Sequence, residues 1–163
     1  MTKQISREVF TDPITFLSFG FGTGLLPSMP GTWGTLIAIP FYLLFRSFPW
    51  QLYLALVLVT FVVGIWMCEQ TEKKCGVHDD PGIVWDELVG YWTTMFLAPA
   101  GLFWVIIGFL LFRFFDIFKP WPIGWLNRHA SGGWGVMIDD FVAGIFSFIL
   151  LQILAWIISV LIG

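Results

Sequence analysis

Charge is scarce in this sequence. Only 12% of its 163 residues are Asp, Glu, Lys or Arg, against roughly 25% in an ordinary soluble protein. Eight basic and eleven acidic side chains are too few to cover the surface of a small aqueous globule. The net charge of −3 offers no basic excess for nucleic acid, and 58% hydrophobic residues exclude a disordered chain. Cysteine is nearly missing as well. Cys68 and Cys75 cannot make a disulfide framework, and no zinc-ligand spacing accompanies them. They are expected as reduced thiols at the cytoplasmic edge. The two histidines, His78 and His129, are expected in solvated loops. Absent too are a cysteine-phosphatase loop, a His-Glu-x-x-His helix, a Gly-x-Ser-x-Gly elbow and a lysine-bearing P-loop. Met1–Asp12 is polar with charges of both signs, unlike a cleavable signal peptide. An integral membrane protein remains, read as one domain over residues 1–163.

What is present is long apolar sequence. Residues 47–68, 88–112 and 141–163 carry no charge over 22, 25 and 23 positions, and about 20 suffice to span a bilayer. Residues 13–45 are also uncharged, but Pro13, Pro27, Pro30 and Pro40 interrupt them. This predicts a broken segment at 14–26, an irregular turn, and a short helix over 34–45. Irregular backbone at membrane depth needs protein or a water-filled cavity around it, so a cavity is expected near that turn.

The 88–112 run reads either as one kinked span or as two short ones turning at Ala98-Pro99-Ala100-Gly101. Two passes place Lys3, Arg7, Lys73, Lys74, Arg113, Lys119 and Arg128 on one side and leave Arg46 opposite. The positive-inside rule then makes the first side cytoplasmic. The resulting fold class is all-α, a polytopic helical bundle of about five short hydrophobic passes with a broken N-terminal segment.

Nine of the eleven acids fall in two islands: Glu69, Glu72, Asp79, Asp80, Asp86 and Glu87, then Asp116, Asp139 and Asp140. Glu72 and Asp79, beside Lys73, Lys74 and His78, read as solvated loop residues. Asp86-Glu87 and Asp139-Asp140 each precede an apolar run. One carboxylate caps a helix well enough, whereas a doubled pair brings repulsion that a hard divalent cation relieves. Glu69 ends an apolar span and either meets water or joins that cation. Arg113, Asp116 and Lys119 recur every third residue on one helical face. Asp116 there is a salt-bridge partner or a metal ligand, with the bases free to hold an anion. Gly132-Gly133-Trp134-Gly135 reads as a turn before a helix starting near Val136, where backbone N–H groups could meet phosphate. Pro30-Gly31-Thr32-Trp33-Gly34-Thr35 offers a similar turn. This inventory points to metal-assisted chemistry on phosphate.

Four blocks carry a family resemblance. Asp80-Pro81-Gly82-Ile83-Val84-Trp85-Asp86-Glu87-Leu88-Val89-Gly90 resembles the central motif of bacterial phosphatidylglycerophosphatase A. Phe112–Pro122, Gly132–Gly144 and Pro30–Thr35 resemble further blocks in family order, over roughly residues 13–160. The resemblance implies a Mg²⁺-dependent lipid phosphatase of the bacterial inner membrane with its active site on the cytoplasmic side. Its expected reaction is hydrolysis of phosphatidylglycerophosphate to phosphatidylglycerol and inorganic phosphate. Asp86, Glu87, Asp116, Lys119, Asp139 and Asp140 are then the catalytic candidates. Glu69, Asp80, Asp86, Glu87, Asp116, Asp139 and Asp140 are the metal candidates. Thr32, Arg113, Lys119, Gly132, Gly133 and Gly135 are the substrate-binding candidates. The expected partners are that lipid and the membrane, with no nucleic acid and no identifiable protein. A small divalent-cation transporter or channel is the alternative, since intramembrane acids mark ion pathways, although the long spans here are uncharged. A scaffold would leave the doubled carboxylates unexplained.

Overall fold

The structure, a computed structural model, describes residues 8–77 and 80–162; Lys3, Arg7, His78 and Asp79 lie outside them. Beyond a helical stretch at residues 8–11, seven α-helices organise these residues: α1 (Pro13–Ser18), α2 (Pro30–Phe45), α3 (Trp50–Cys75), α4 (Trp85–Thr94), α5 (Leu102–Phe118), α6 (Ile123–His129) and α7 (Gly132–Ile162). A 3₁₀ turn at Thr23–Leu25 follows α1. No strand occurs among the described residues, in agreement with the all-α expectation.

Each boundary has a local cause. Asp12 caps α1, accepting from the Thr15 backbone N–H at 2.9 Å. Gly20, Phe21 and Gly22 then share positive φ angles and reverse the chain, which accounts for the broken first segment. Helix α2 begins at Pro30, not at residue 34, because proline at the first helical position has no N–H to leave unpaired. The stretch expected as a turn at 30–35 is therefore helical, and the helix continues through Pro40. Helix α3 runs past the apolar span to Cys75, where Gly76 at φ +66 closes it and Lys73 and Lys74 complement the dipole. Cys68 and Cys75 are both free thiols.

The single-span reading of 88–112 is overturned. Helix α4 stops at Thr94, Leu97 and Gly101 take positive φ, and α5 begins at Leu102. The carbonyls at this turn find side-chain donors inside the bundle. Tyr53 Oη donates to Trp92 O at 2.7 Å and Gln152 Nε2 to Phe96 O at 3.0 Å. Away from water such groups need partners.

Helix α4 is the hub, packed against α2, α3, α5 and α7. Burial relative to lipid supplies little hydrophobic drive, so close backbone approach matters more. Gly90 on α4 and Gly144 on α7 provide it: a Cβ on Gly144 would lie 2.5 Å from Gly90 O. The same crossing brings Asp140 of α7 to the acidic first turn of α4.

Helices α2, α3, α4, α5 and α7 run as five alternating legs between two ends. Tyr42, Arg46, Trp50, Tyr53 and Met95–Ala98 gather at one end. The starts of α2, α4 and α7 and the end of α5 gather at the other. Two of these legs, α3 and α7, are long and apolar enough to cross a membrane. Most of their apolar windows face outward, including Leu58, Val59, Val62, Ile149 and Ile153. The other legs are shorter. Ten residues in α4 reach about 15 Å, half the hydrocarbon thickness, so five full passes reduce to two helices of spanning length.

Candidate active site

A cavity of about 820 Å³ opens at the charged end of the bundle. Four separate stretches build it: Met29–Gly31 at the start of α2, Asp80–Glu87 leading into α4, Arg113–Lys119 at the end of α5, and Asn127–Asp140 across α6 and α7. Asp80, Asp86, Glu87, Asp116, Asp139 and Asp140 line it together with Arg113, Lys119 and Arg128. Six of the nine clustered acids thus converge in this cavity.

The charges divide into two sets. Asp86 and Glu87 occupy the first turn of α4, and Asp140 faces them from α7. One carboxylate oxygen from each lies within 4.8 Å of the other two. Asp86 Oδ1, Glu87 Oε2 and Asp140 Oδ2 are inaccessible and have no hydrogen-bond partner among the described residues. Three carboxylates whose inner oxygens are desolvated and aimed together are costly unless a proton or a cation joins them. An all-oxygen set of this kind suits a hard divalent ion.

The second set pairs acids with bases, with Arg113 Nε and Nη1 left without a hydrogen bond among the described residues. Arg113 Nη1 lies 2.5 Å from Asp116 Oδ2, and Lys119 Nζ lies 3.4 Å from Asp116 Oδ1. Lys119 also pairs closely with Asp139 and stands 3.7 Å from Asp140. Asn127 Nδ2 donates to Asp139 Oδ2 at 2.9 Å. Burial acts to lower the Lys119 pKa, but Asp140, Asp139 and Asp116 outweigh it and raise the pKa above the usual lysine value. Its side chain is a fixed cation. Lys119 holds a left-handed backbone, φ +42, just beyond α5, and Nζ still reaches the face predicted for Arg113 and Asp116.

Other candidates take different places. Glu69 is an exposed member of α3, paired with Lys73 at 2.5 Å, and does not line the cavity. Glu72 is helical too, in α3 rather than in a loop. Asp80 lines the cavity while its Oδ1 accepts from Gly82 N at 2.8 Å, stabilising the turn into α4. Thr32 lies beside the lining residues Pro30 and Gly31 without joining them. The turn expected at 132–135 is the first turn of α7, so Asp139 and Asp140 sit about two turns inside a helix and not at its cap. Gly133 lies against α3, where a Cβ would come 1.9 Å from Ile65 O. Of the three candidate glycines only Gly135 lines the cavity. His129 ends α6, stacked on Trp125 at 4.7 Å, and is not in a loop. Asn127 and Arg128 are lining residues absent from the sequence candidates. Their only signal was a polar Asn127-Arg128 pair between two motif blocks.

The cavity therefore combines an acidic trio, with one unpartnered oxygen on each member, with neighbouring cations and a glycine-bearing wall. The sequence profile of the family described as phosphatidylglycerophosphatase A matches residues 16–155. The chain belongs to this family. It is 48% identical over 143 residues to phosphatidylglycerophosphatase A of Escherichia coli strain K12, covering 87% of this chain and 83% of the relative. It is 39% identical over 149 residues to the Haemophilus influenzae protein of the same name, covering 90% of each. A Bacteroides thetaiotaomicron protein provisionally named a phosphatidylinositol-3-phosphatase is 40% identical over 149 residues, covering 86% of this chain and 92% of the relative. No solved structure matches the chain. As a member of the phosphatidylglycerophosphatase A family, the protein is a phosphatase.

Proposed function

We propose that this enzyme hydrolyses phosphatidylglycerophosphate to phosphatidylglycerol and inorganic phosphate, with Mg²⁺, at the cytoplasmic face of the bacterial inner membrane. The observation that carries the reading is the pairing of unpartnered Asp86, Glu87 and Asp140 oxygens with the fixed cations Lys119 and Arg113 in one cavity. Six lining carboxylates against three basic residues repel a phosphate monoester unless a cation offsets them. Asp86, Glu87 and Asp140 would hold that ion. When bound it supplies a Lewis acid for a phosphoryl oxygen and a water of lowered pKa.

The chain's own residues do the rest. Lys119 and Arg113 receive the phosphate charge in a place they already occupy, so little reorganisation accompanies the reaction. Asp116 fixes the Arg113 end of this pair. Asp139 and Asn127 fix the Lys119 end. Gly31 lets the start of α2 close on Glu87 and Arg113, since a Cβ there would lie 2.2 Å from Glu87 Oε1. Cytoplasmic placement is supported by charge. Among the described residues, Arg46 is the one charged group at the far end of the bundle.

The test is phosphate release by the purified protein from phosphatidylglycerophosphate in mixed micelles, with and without Mg²⁺. Release that a chelator stops and Asp86→Asn abolishes is the expected result. No release in Mg²⁺ overturns the reading. Phosphatidylinositol 3-phosphate is the substrate to run beside it, given the Bacteroides relative's name.

A further inference from the structure

Helices α2 and α5 both line the cavity and meet only sparsely beside it. At that seam the lining changes character. Inward stand Glu87, Arg113 and Lys119; outward stand Met29 and Ile117, which line the cavity and are also 64% and 59% exposed. Ile117 lies one helical turn beyond Arg113 on the same face of α5. Trp33 lies one helical turn from Met29 and Phe114 one turn from Ile117, and both are exposed. Met29 is held in a left-handed conformation, φ +54, which is costly for a residue with a Cβ. Its position at the rim is thus imposed by the start of α2.

We infer that this α2–α5 seam is the lateral portal through which the lipid substrate enters, with the phosphate drawn to Arg113 and Lys119 and the glycerol and proximal acyl carbons lying between Met29 and Ile117. The inference rests on the lipid-phosphatase reading above and adds its route. The occupant is specified by continuity. A polar cavity that grades into apolar side chains along one seam matches an amphiphile with an anionic head and paired hydrocarbon chains. A soluble phosphate ester has no use for the outer half. An apolar face alone would simply be wet by bulk lipid, but this one is continuous with the phosphate-facing cations.

The test uses the full-length protein in nanodiscs containing phosphatidylglycerol with a diazirine near the carboxyl end of one acyl chain. After irradiation, labelled residues are mapped by mass spectrometry, with and without excess unlabelled phosphatidylglycerophosphate. Label at Met29, Trp33, Phe114 or Ile117 that the competitor removes is the expected result. Competed label confined to another seam, such as that between α3 and α7, overturns the portal. So does label at the α2–α5 rim that the competitor leaves unchanged, because it reports bulk lipid. A second arm compares Ile117→Asp with the wild type. The ratio of kcat/KM for the diacyl substrate to that for the deacylated headgroup phosphodiester-monoester should fall about tenfold, and an unchanged ratio contradicts the portal. Failure of the function itself is seen separately, as absence of phosphate release by the wild type.

Discussion

The two halves of the cavity hold similar residues under opposite conditions. Asp116 and Asp139 each face a base, and Asn127 adds a donor to Asp139. Asp86, Glu87 and Asp140 face one another, with one oxygen each left unpartnered among the described residues. In the first half each acid meets a base, while Arg113 Nε and Nη1 make no hydrogen bond among the described residues and stay open to an anion. The second is left incomplete, and incompleteness at such cost is a sign of binding. Sequence position does not separate them: Asp139 and Asp140 are neighbours on α7, yet belong to different halves.

That contrast predicts opposite responses to neutralisation. Asp86→Asn, Glu87→Gln and Asp140→Asn should each lower kcat/KM by about 10²–10³-fold or more, read as phosphate release. In the absence of Mg²⁺ the same changes should raise the unfolding midpoint, because they relieve buried like-charge repulsion. For the wild type, Mg²⁺ at a hundred times its dissociation constant should add about 2.7 kcal/mol of stability, and the three variants should lose that gain. Equal destabilisation by all three without Mg²⁺ would erase the distinction between the halves.

Lys119→Met attacks the paired half. Asp139 and Asp116 lose a counter-charge, so stability should fall by roughly 2 kcal/mol, a value reduced because the lysine side chain retains 28% exposure. Turnover should fall about 10²-fold at saturating Mg²⁺, while the thermal shift produced by Mg²⁺ persists. Loss of that shift would make Lys119 part of the metal-binding half. Asn127→Ala is the milder version. Removing one hydrogen bond to a charged carboxylate costs about 1–2 kcal/mol. The KM for substrate should rise more than kcat falls, since Lys119 stays present but less firmly held. An unchanged KM would leave Asn127 a purely structural role.

Much of this site was legible because its residues are chemically conspicuous in apolar sequence. Asp86-Glu87 and the Arg113–Lys119 periodicity could be read directly, and proline and glycine at 98–101 marked the hairpin as one of two readings. Helix limits were harder. The start of α2 at Pro30 and of α7 at Gly132 were misplaced because proline and glycine read as turns, whereas proline tolerates a first helical turn and Gly133 serves close packing on α3. Glu69 does not line the cavity, and spacing along α3 does not tell which face meets it. It pairs instead with Lys73 one turn away, a partner that the spacing alone makes available. The partition of Asp139 from Asp140 required the third dimension, as it depends on how α4, α6 and α7 cross.

The smallest expected effect lies outside the cavity and calibrates the others. Asp12 caps α1 and pairs with Lys74 of α3 at 2.8 Å, tying the N-terminal segment to the charged end of the bundle. The Lys74 hydrogen bond, with that of Thr15, lowers the Asp12 pKa to about 2. A folded-state pKa below the unfolded value means that the contribution is complete above about pH 4 and is lost as pH falls towards 2. Because the pair is partly exposed, it should contribute less than about 1 kcal/mol. The measurement is the stability difference between wild type and Lys74→Ala, followed from pH 6 to the onset of acid unfolding. That difference should be small and flat at the upper end, shrink below about pH 4, and diminish further with added salt. A salt-insensitive difference that persists at low pH would assign Lys74 to packing through its aliphatic stem and remove the ion pair as the tether between α1 and α3.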